Sequence, residues 1–308
     1  MNLTRMLTVA ATALSLSVPL ALAASSAAPA PEASRVATAS HRAVAPAEDH
    51  TRLPSRCKPN EGQMPSEPLA CYLNTFHRNR PTLMLWGDSH GWMFIPALKA
   101  AIAGKDVNLV AVVKGSCPPI QFAANPPTRL DCYQFNKIAI DLVRKFDKSG
   151  RPFRLVLGAS WQRYLAALRG EPEDPYVVKM SKFFKEGTPN LLKTLGKLKV
   201  KTDVIGQVGH PPETGKPDCP QGNTPYVCKL ARDVMLPAEG STRTWVKNKM
   251  KSLSGTPRYV DVNDEFCDAT MCDGKIGGVY TFFDDLHLSA TFSKSLKPFF
   301  TKSVPAGS

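Results

Sequence analysis

A chain of 308 residues, 43% of them hydrophobic, holds enough apolar material for one large domain or two small ones. Its formal net charge is +13. In an exported chain, which the N-terminus suggests, that charge points to anionic cell-envelope polymer or a peripheral envelope surface and away from nucleic acid.

Residues 1–5 are short and basic, residues 6–20 are apolar and rich in small side chains, and Ala21-Leu22-Ala23 fits an A-x-A cleavage site. Residues 1–23 therefore read as a secretory signal peptide. Pro19 and the small residues argue against an uncleaved anchor, since a spanning helix wants about 20 strongly apolar residues. Residues 24–50 are an Ala/Pro/Ser-rich linker with no periodic large apolar residues. The folded domain is expected over 51–308, and no later segment reads as a membrane span.

Within it, residues 82–86 form a strand candidate. Residues 92–103 have helical spacing, with Phe94, Ile95, Leu98 and Ile102 on one side. Residues 107–113 are a β-branched strand, 132–146 a helix and 154–157 a short strand ending at Gly158. Residues 177–199 predict helix broken near Thr188-Pro189, because proline starts a helix better than it continues one. Its lysines, and Lys201 just beyond, read as a solvated helix face. A strand at 203–208, a Pro/Gly-rich loop, a helix at 241–253, a fifth strand at 258–262 and a closing helix at 289–303 complete the series. Alternating strands and helices imply an α/β three-layer αβα sandwich around a five-stranded, mainly parallel sheet. Ligands bind such sheets beyond the carboxyl ends of the strands.

Eight cysteines in an exported chain imply disulfides. Their spacing suggests four local bridges: Cys57–Cys71, Cys117–Cys132, Cys219–Cys228 and Cys267–Cys272. A loop of about 15 residues closed in this way adds roughly 3 kcal/mol. Zinc would need tight CxxC or CxxH clusters, and the sequence has none. It calls for neither a metal nor a cofactor.

The segment "LMLWGDSHGWMFIPAL", residues 83–98, places Gly87, Asp88, Ser89 and His90 where the first strand gives way to a helix. Glycine permits a sharp turn, and a serine at a helix mouth meets free N–H groups that stabilise an anionic oxygen. Ser89 or Asp88 also suits a plain N-cap. Far along the chain, "TFFDDLHLS" at 281–289 sets Asp284 three residues before His287. A carboxylate there can hold the imidazole tautomer and leave the other ring nitrogen free to take a serine proton. Asp285 is the alternative orienting group.

Together these motifs resemble the SGNH (GDSL-like) hydrolase family, and in particular the exported SGNH domains of carbohydrate O-acyltransferases. Further matching features are His90 directly after Ser89, "GSCPP" at 115–119, "CYQFN" at 132–136, Trp161 and the run from 266 to 289. The resemblance spans residues 55–303. It implies a flavodoxin-like sheet, with Ser89 as nucleophile, His287 as general base, Asp284 as orienting acid and the Gly115 N–H as an oxyanion donor. The family's Gly-x-Asn-Asp block is replaced by "LGASWQRY" at 157–164, which has no asparagine. Trp161 Nε1, the Gln162 amide or Arg163 are candidate substitutes, and the O-acyltransferase branch resembles this chain in lacking that residue. Asp88, His90, Trp161 and Arg163 are candidate substrate contacts. Trp161 and Tyr164 are candidate sugar platforms, His210 is a structural or cleft histidine, and His90 either orients an acyl group or caps the helix.

The resemblance implies transfer of an acyl group, acetyl for preference, to a carbohydrate hydroxyl through an acyl-serine. Such domains are often fused to a membrane acyl-transporting domain. This sequence shows none, so a separate membrane partner is implied. A secreted, periplasmic or cell-envelope location follows from the signal peptide. Two rivals stand: an acetylesterase using water, and a non-catalytic glycan-binding or scaffold protein on the same fold.

Overall fold

The computed structural model describes residues 48–59, 64–123, 131–211 and 229–307. The expected signal peptide, most of the expected linker and the Cys219–Cys228 pair lie outside them. Where the described chain begins, the Asp49 carbonyl accepts the Ala290 amide at 2.7 Å and the Asp49 carboxylate caps the Thr291 amide at 3.1 Å. The His50 ring lies 5.8 Å from that of Phe283.

In chain order the first elements are β1 (Cys71–Tyr72), β2 (Thr82–Gly87), α1 (Ser89–Trp92), α2 (Ile95–Ile102) and β3 (Asn108–Val113). Then come α3 (Asp131–Asp147), β4 (Phe153–Gly158), α4 (Trp161–Leu168), α5 (Pro175–Leu198) and β5 (Thr202–Ile205). They are followed by β6 (Leu230–Ala231), α6 (Arg232–Met235), α7 (Glu239–Met250) and β7 (Arg258–Val260). Last are β8 (Met271–Cys272), β9 (Lys275–Ile276), β10 (Val279–Tyr280), α8 (Ala290–Ser295) and α9 (Lys297–Phe300).

The central sheet has the order β1-β3-β2-β4-β5-β7, parallel throughout except for β1. Alternation along the strands builds two cores. Leu83, Leu85 and Val113 face one side, with Phe94, Leu98, Phe292 and Phe300. Met84, Trp86 and Val112 face the other, with Phe135, Phe184, Leu195 and Val246. The result is the expected αβα sandwich.

Four expectations need correction. The sheet has six strands rather than five; the extra one, β1, is a two-residue antiparallel edge held by the Cys57–Cys71 bridge. The helix expected at 92–103 is two, with Asp88 capping the first. The closing helix is also divided: α8 ends at Ser295 before the turn of Pro298, which has no N–H to donate. In contrast, α5 runs unbroken through Pro189. An interior proline costs about 3 kcal/mol. Here tertiary contacts offset it, since Val177, Met180, Phe184, Leu191, Leu192 and Leu195 are buried on both sides of the proline. Thr188 Oγ1 also donates to the Pro119 carbonyl, and the Gly187 carbonyl accepts the Gln121 amide. The lysines of this helix, at 179, 182, 185, 193 and 197, all face outward.

Three of the four expected disulfides form: Cys57–Cys71, Cys117–Cys132 and Cys267–Cys272. Among the described residues no helix is long and apolar enough to cross a membrane. The strand order reverses on either side of β2, which places the ligand crevice between the carboxyl ends of β2 and β4.

Candidate active site

The crevice begins where Gly87 of β2 and Gly158 of β4 face each other in register. A methyl on Gly87 would lie 2.0 Å from the Gly158 carbonyl oxygen, and one on Gly158 would lie 2.8 Å from the Gly91 Cα. Bare backbone at these points lets α1 start directly over the end of β4. Ser89 is the first residue of that helix and is half-buried.

Asp88 fixes the turn. Its Oδ1 accepts the His90 amide at 2.8 Å. Its Oδ2 accepts the Ser160 amide at 3.0 Å and the Tyr164 hydroxyl at 2.8 Å. One buried carboxylate thus joins the end of β2 to the end of β4 and the first turn of α4. Burial pushes the Asp88 carboxyl up from 3.8 to about 6, against the pull of these three donors and of His287. Burial, then the Asp88 charge, pushes the Tyr164 hydroxyl well above its ordinary value.

Asp284 and His287 arrive from the far end of the sequence. Their loop is framed by the β9–β10 hairpin and by the Ser289 hydroxyl, which donates to the Tyr280 carbonyl. The Asp284 Oδ1 accepts the Leu286 amide at 2.8 Å and the His287 amide at 2.7 Å. Its Oδ2 pairs with His287 Nδ1 at 2.8 Å. Burial alone would raise this carboxyl. The His287 ring and the two amides outweigh it and hold the group below its ordinary value. His287 Nε2 is left buried with no hydrogen-bond partner.

The two remote segments pack directly together. The Leu288 amide meets Met93 Sδ at 3.4 Å, and the Ser293 hydroxyl donates to the Met93 carbonyl at 2.6 Å. The His287 ring lies 5.5 Å from that of His90, 5.9 Å from that of Trp92 and stacks on Phe283. Ser89 and His287 therefore both stand at the carboxyl end of the sheet, and no hydrogen bond joins them.

A small pocket beside Ser89 has room for about one water-sized group. Asp88, Ser89, His90, Ser116, Ser160, Arg163, Tyr164 and Val177 line it. Several expectations change here. The loop after β3 brings Ser116, in a left-handed conformation at φ 54°, to the pocket; Gly115 packs against Met64. Trp161 is neither a platform nor an oxyanion donor. It is 1% exposed, and its indole N–H donates to the Ile205 carbonyl at 2.7 Å. Tyr164 is equally buried and holds Asp88 instead of a sugar. Arg163 does reach the pocket, with its Nε on Glu173 at 2.9 Å.

His90 is buried between His287 and His210, whose ring is 5.9 Å away. Burial first, then His287, His210 and Arg163, hold its imidazole well below the ordinary value, so it is neutral near pH 7. The sequence reading missed Ser116 and Ser160. The signal for Ser160 was its place directly after the Gly158-Ala159 strand end.

Fold and site together describe an SGNH-type α/β domain. The model of the SGNH domain that occurs fused to AT3 domains matches residues 56–302, and the chain belongs to that family. Among solved structures, it is similar to the periplasmic domain of the lipopolysaccharide acetyltransferase of Salmonella ser. Paratyphi A. That match has a TM-score of 0.51 and 14% identity, and covers 73% of this chain and 84% of that one. A putative platelet activating factor from Streptococcus pneumonia is similar at a TM-score of 0.37 and 12% identity, over 72% of this chain and 83% of that one. No curated protein matches.

Proposed function

We propose that the chain is an exported serine acyltransferase that moves acetyl groups onto cell-envelope carbohydrate. The observation that carries this reading is His287: Asp284 holds its Nδ1 side, its buried Nε2 is left without a partner, and its ring lies 5.5 Å from that of His90, the residue after Ser89. Family membership and the six described half-cystines in bridges support an acyl-transfer enzyme outside the cytoplasm.

His287 Nε2 takes the Ser89 hydroxyl proton as Ser89 Oγ bonds to the carbonyl carbon of an ester. The tetrahedral intermediate collapses, His287 returns the proton to the departing alkoxide, and acetyl remains on Ser89. A sugar hydroxyl then gives its proton to His287 Nε2 as its oxygen attacks the acetyl carbon; the Ser89 Oγ–carbon bond breaks, His287 returns the proton to Ser89 Oγ, and the acetylated sugar leaves. Asp284 orients the imidazole and stabilises its charged form. A separate membrane protein would deliver acetyl from the cytoplasm.

The test uses an activated acetyl ester. Wild type should release product and form a trappable acetyl-serine on Ser89, while Ser89→Ala should do neither. Turnover by Ser89→Ala equal to wild type ends the proposal. Ester-linked acetyl appearing on an added polysaccharide identifies a transferase; release to water alone identifies an esterase.

A further inference from the structure

We infer that the Ser160 hydroxyl is an oxyanion donor of this site, standing in for the missing asparagine; the inference rests on the acyl-serine reading of Ser89. Ser160 is 4% exposed, yet its Oγ has no hydrogen-bond partner. A buried hydroxyl left unsatisfied costs free energy and calls for an explanation. Ser160 is among the residues lining the small pocket beside Ser89.

Its position is set by other groups. The Ser160 amide is committed to Asp88 Oδ2, the carboxylate that also anchors the turn carrying Ser89. The nucleophile and the Ser160 hydroxyl thus hang from one rigid group, across the β2–β4 switch point. Neighbouring donors are already engaged. Tyr164 donates its hydroxyl to Asp88, Trp161 its indole N–H to the Ile205 carbonyl, and Gln162 its backbone N–H to Gln207 Oε1. The Ser160 hydroxyl alone among these groups has a proton and no acceptor. When Ser89 attacks, negative charge develops on the former carbonyl oxygen inside this pocket. A preplaced O–H meets that charge without reorganisation, so its bond strengthens mainly in the transition state. Ser160 also follows Gly158-Ala159 directly, the place in the sequence where the Gly-x-Asn-Asp pattern would put its amide.

The experiment compares wild type, Ser160→Ala, Ser160→Thr and Ser89→Ala on an activated acetyl ester. Ser160→Ala should lose about 10²–10³ in kcat with little change in KM. Ser160→Thr, which keeps the hydroxyl, should restore most of it. Binding of methylboronic acid, which mimics the tetrahedral state on Ser89, should weaken in parallel in Ser160→Ala. Ser160→Cys, close in volume and a poor donor, replaces the alanine variant if that protein does not fold, with a similar loss expected. If Ser160→Ala keeps wild-type kcat and methylboronic acid affinity while Ser89→Ala is inactive, the Ser160 assignment falls and the acyl-serine stands. If wild type itself fails to turn over the ester or form the acyl-serine, both readings fall.

Discussion

Two aspartates are fully buried in the same sheet, one at each end. At the amino end, Asp203 of β5 meets the Arg154 guanidinium at 2.9 Å, that of Arg258 at 3.2 Å and the Ser303 hydroxyl at 2.7 Å. At the carboxyl end, Asp88 meets two backbone amides and a phenol, all neutral. The first group fastens β4, β5, β7 and the C-terminal turn by charge compensation. The second is held in shape but left electrostatically costly, with its carboxyl pushed up to about 6. One end of the sheet compensates its buried carboxylate, and the other tolerates an expensive one beside Ser89.

The contrast can be tested from both sides. The largest effect belongs to the carboxyl end: Asp284→Asn should lower kcat about 10⁴-fold, near 5.5 kcal/mol of barrier, by releasing the His287 tautomer. Its loss of stability should stay below that of Asp203→Ala, and an equal or larger one would break the division. Next is Asp203→Ala, which leaves two guanidiniums uncompensated. It should cost about 3–5 kcal/mol in chemical denaturation while kcat per folded molecule is kept.

The third effect depends on pH. The folded Asp88 carboxyl binds its proton more tightly than the unfolded one, so the protonated form favours folding. That contribution is full below about pH 4 and is lost as pH rises through about 6, in total on the order of 3 kcal/mol. The stability of wild type relative to Asp88→Asn should therefore fall between pH 4 and 7; a constant difference would mean that the carboxylate is fully compensated. Asp284 has the opposite sign, since its lowered pKa makes its contribution vanish as pH falls. The smallest effect is expected of Tyr164→Phe. Losing a hydrogen bond to a charged group costs about 1.5–3 kcal/mol, and Asp88 should then titrate higher still in a carboxyl-resolved NMR titration.

The sequence carried the elements that depend on local pattern. The β-branched strands, the helix at 132–146, the glycine turn at Gly87 and the Asp284–His287 spacing are all short-range signals, and three cysteine pairs followed from proximity along the chain. What stayed hidden depends on remote contacts. Two residues of β1 have no periodicity and exist because a bridge and β3 hold them. Pro189 remains in a helix because a buried face outweighs its local cost. Trp161 and Tyr164 looked like exposed aromatics at a strand end, and only the packing of α4 on α5 shows them to be internal struts. Ser160 stood at a telling position after Gly158-Ala159, but only the bond of its amide to Asp88 ties it to the turn that carries Ser89.

The mooring of the N-terminal strap has a mechanical consequence. Asp49 grips the start of α8, and His50 lies against Phe283, which stacks on the imidazole of His287. A tug on whatever precedes Glu48 is thus delivered two aromatic rings from His287, rather than to some distant corner of the domain. If Ser89 and His287 act as proposed, a load on that strap would be felt first at the ring that must move the serine proton.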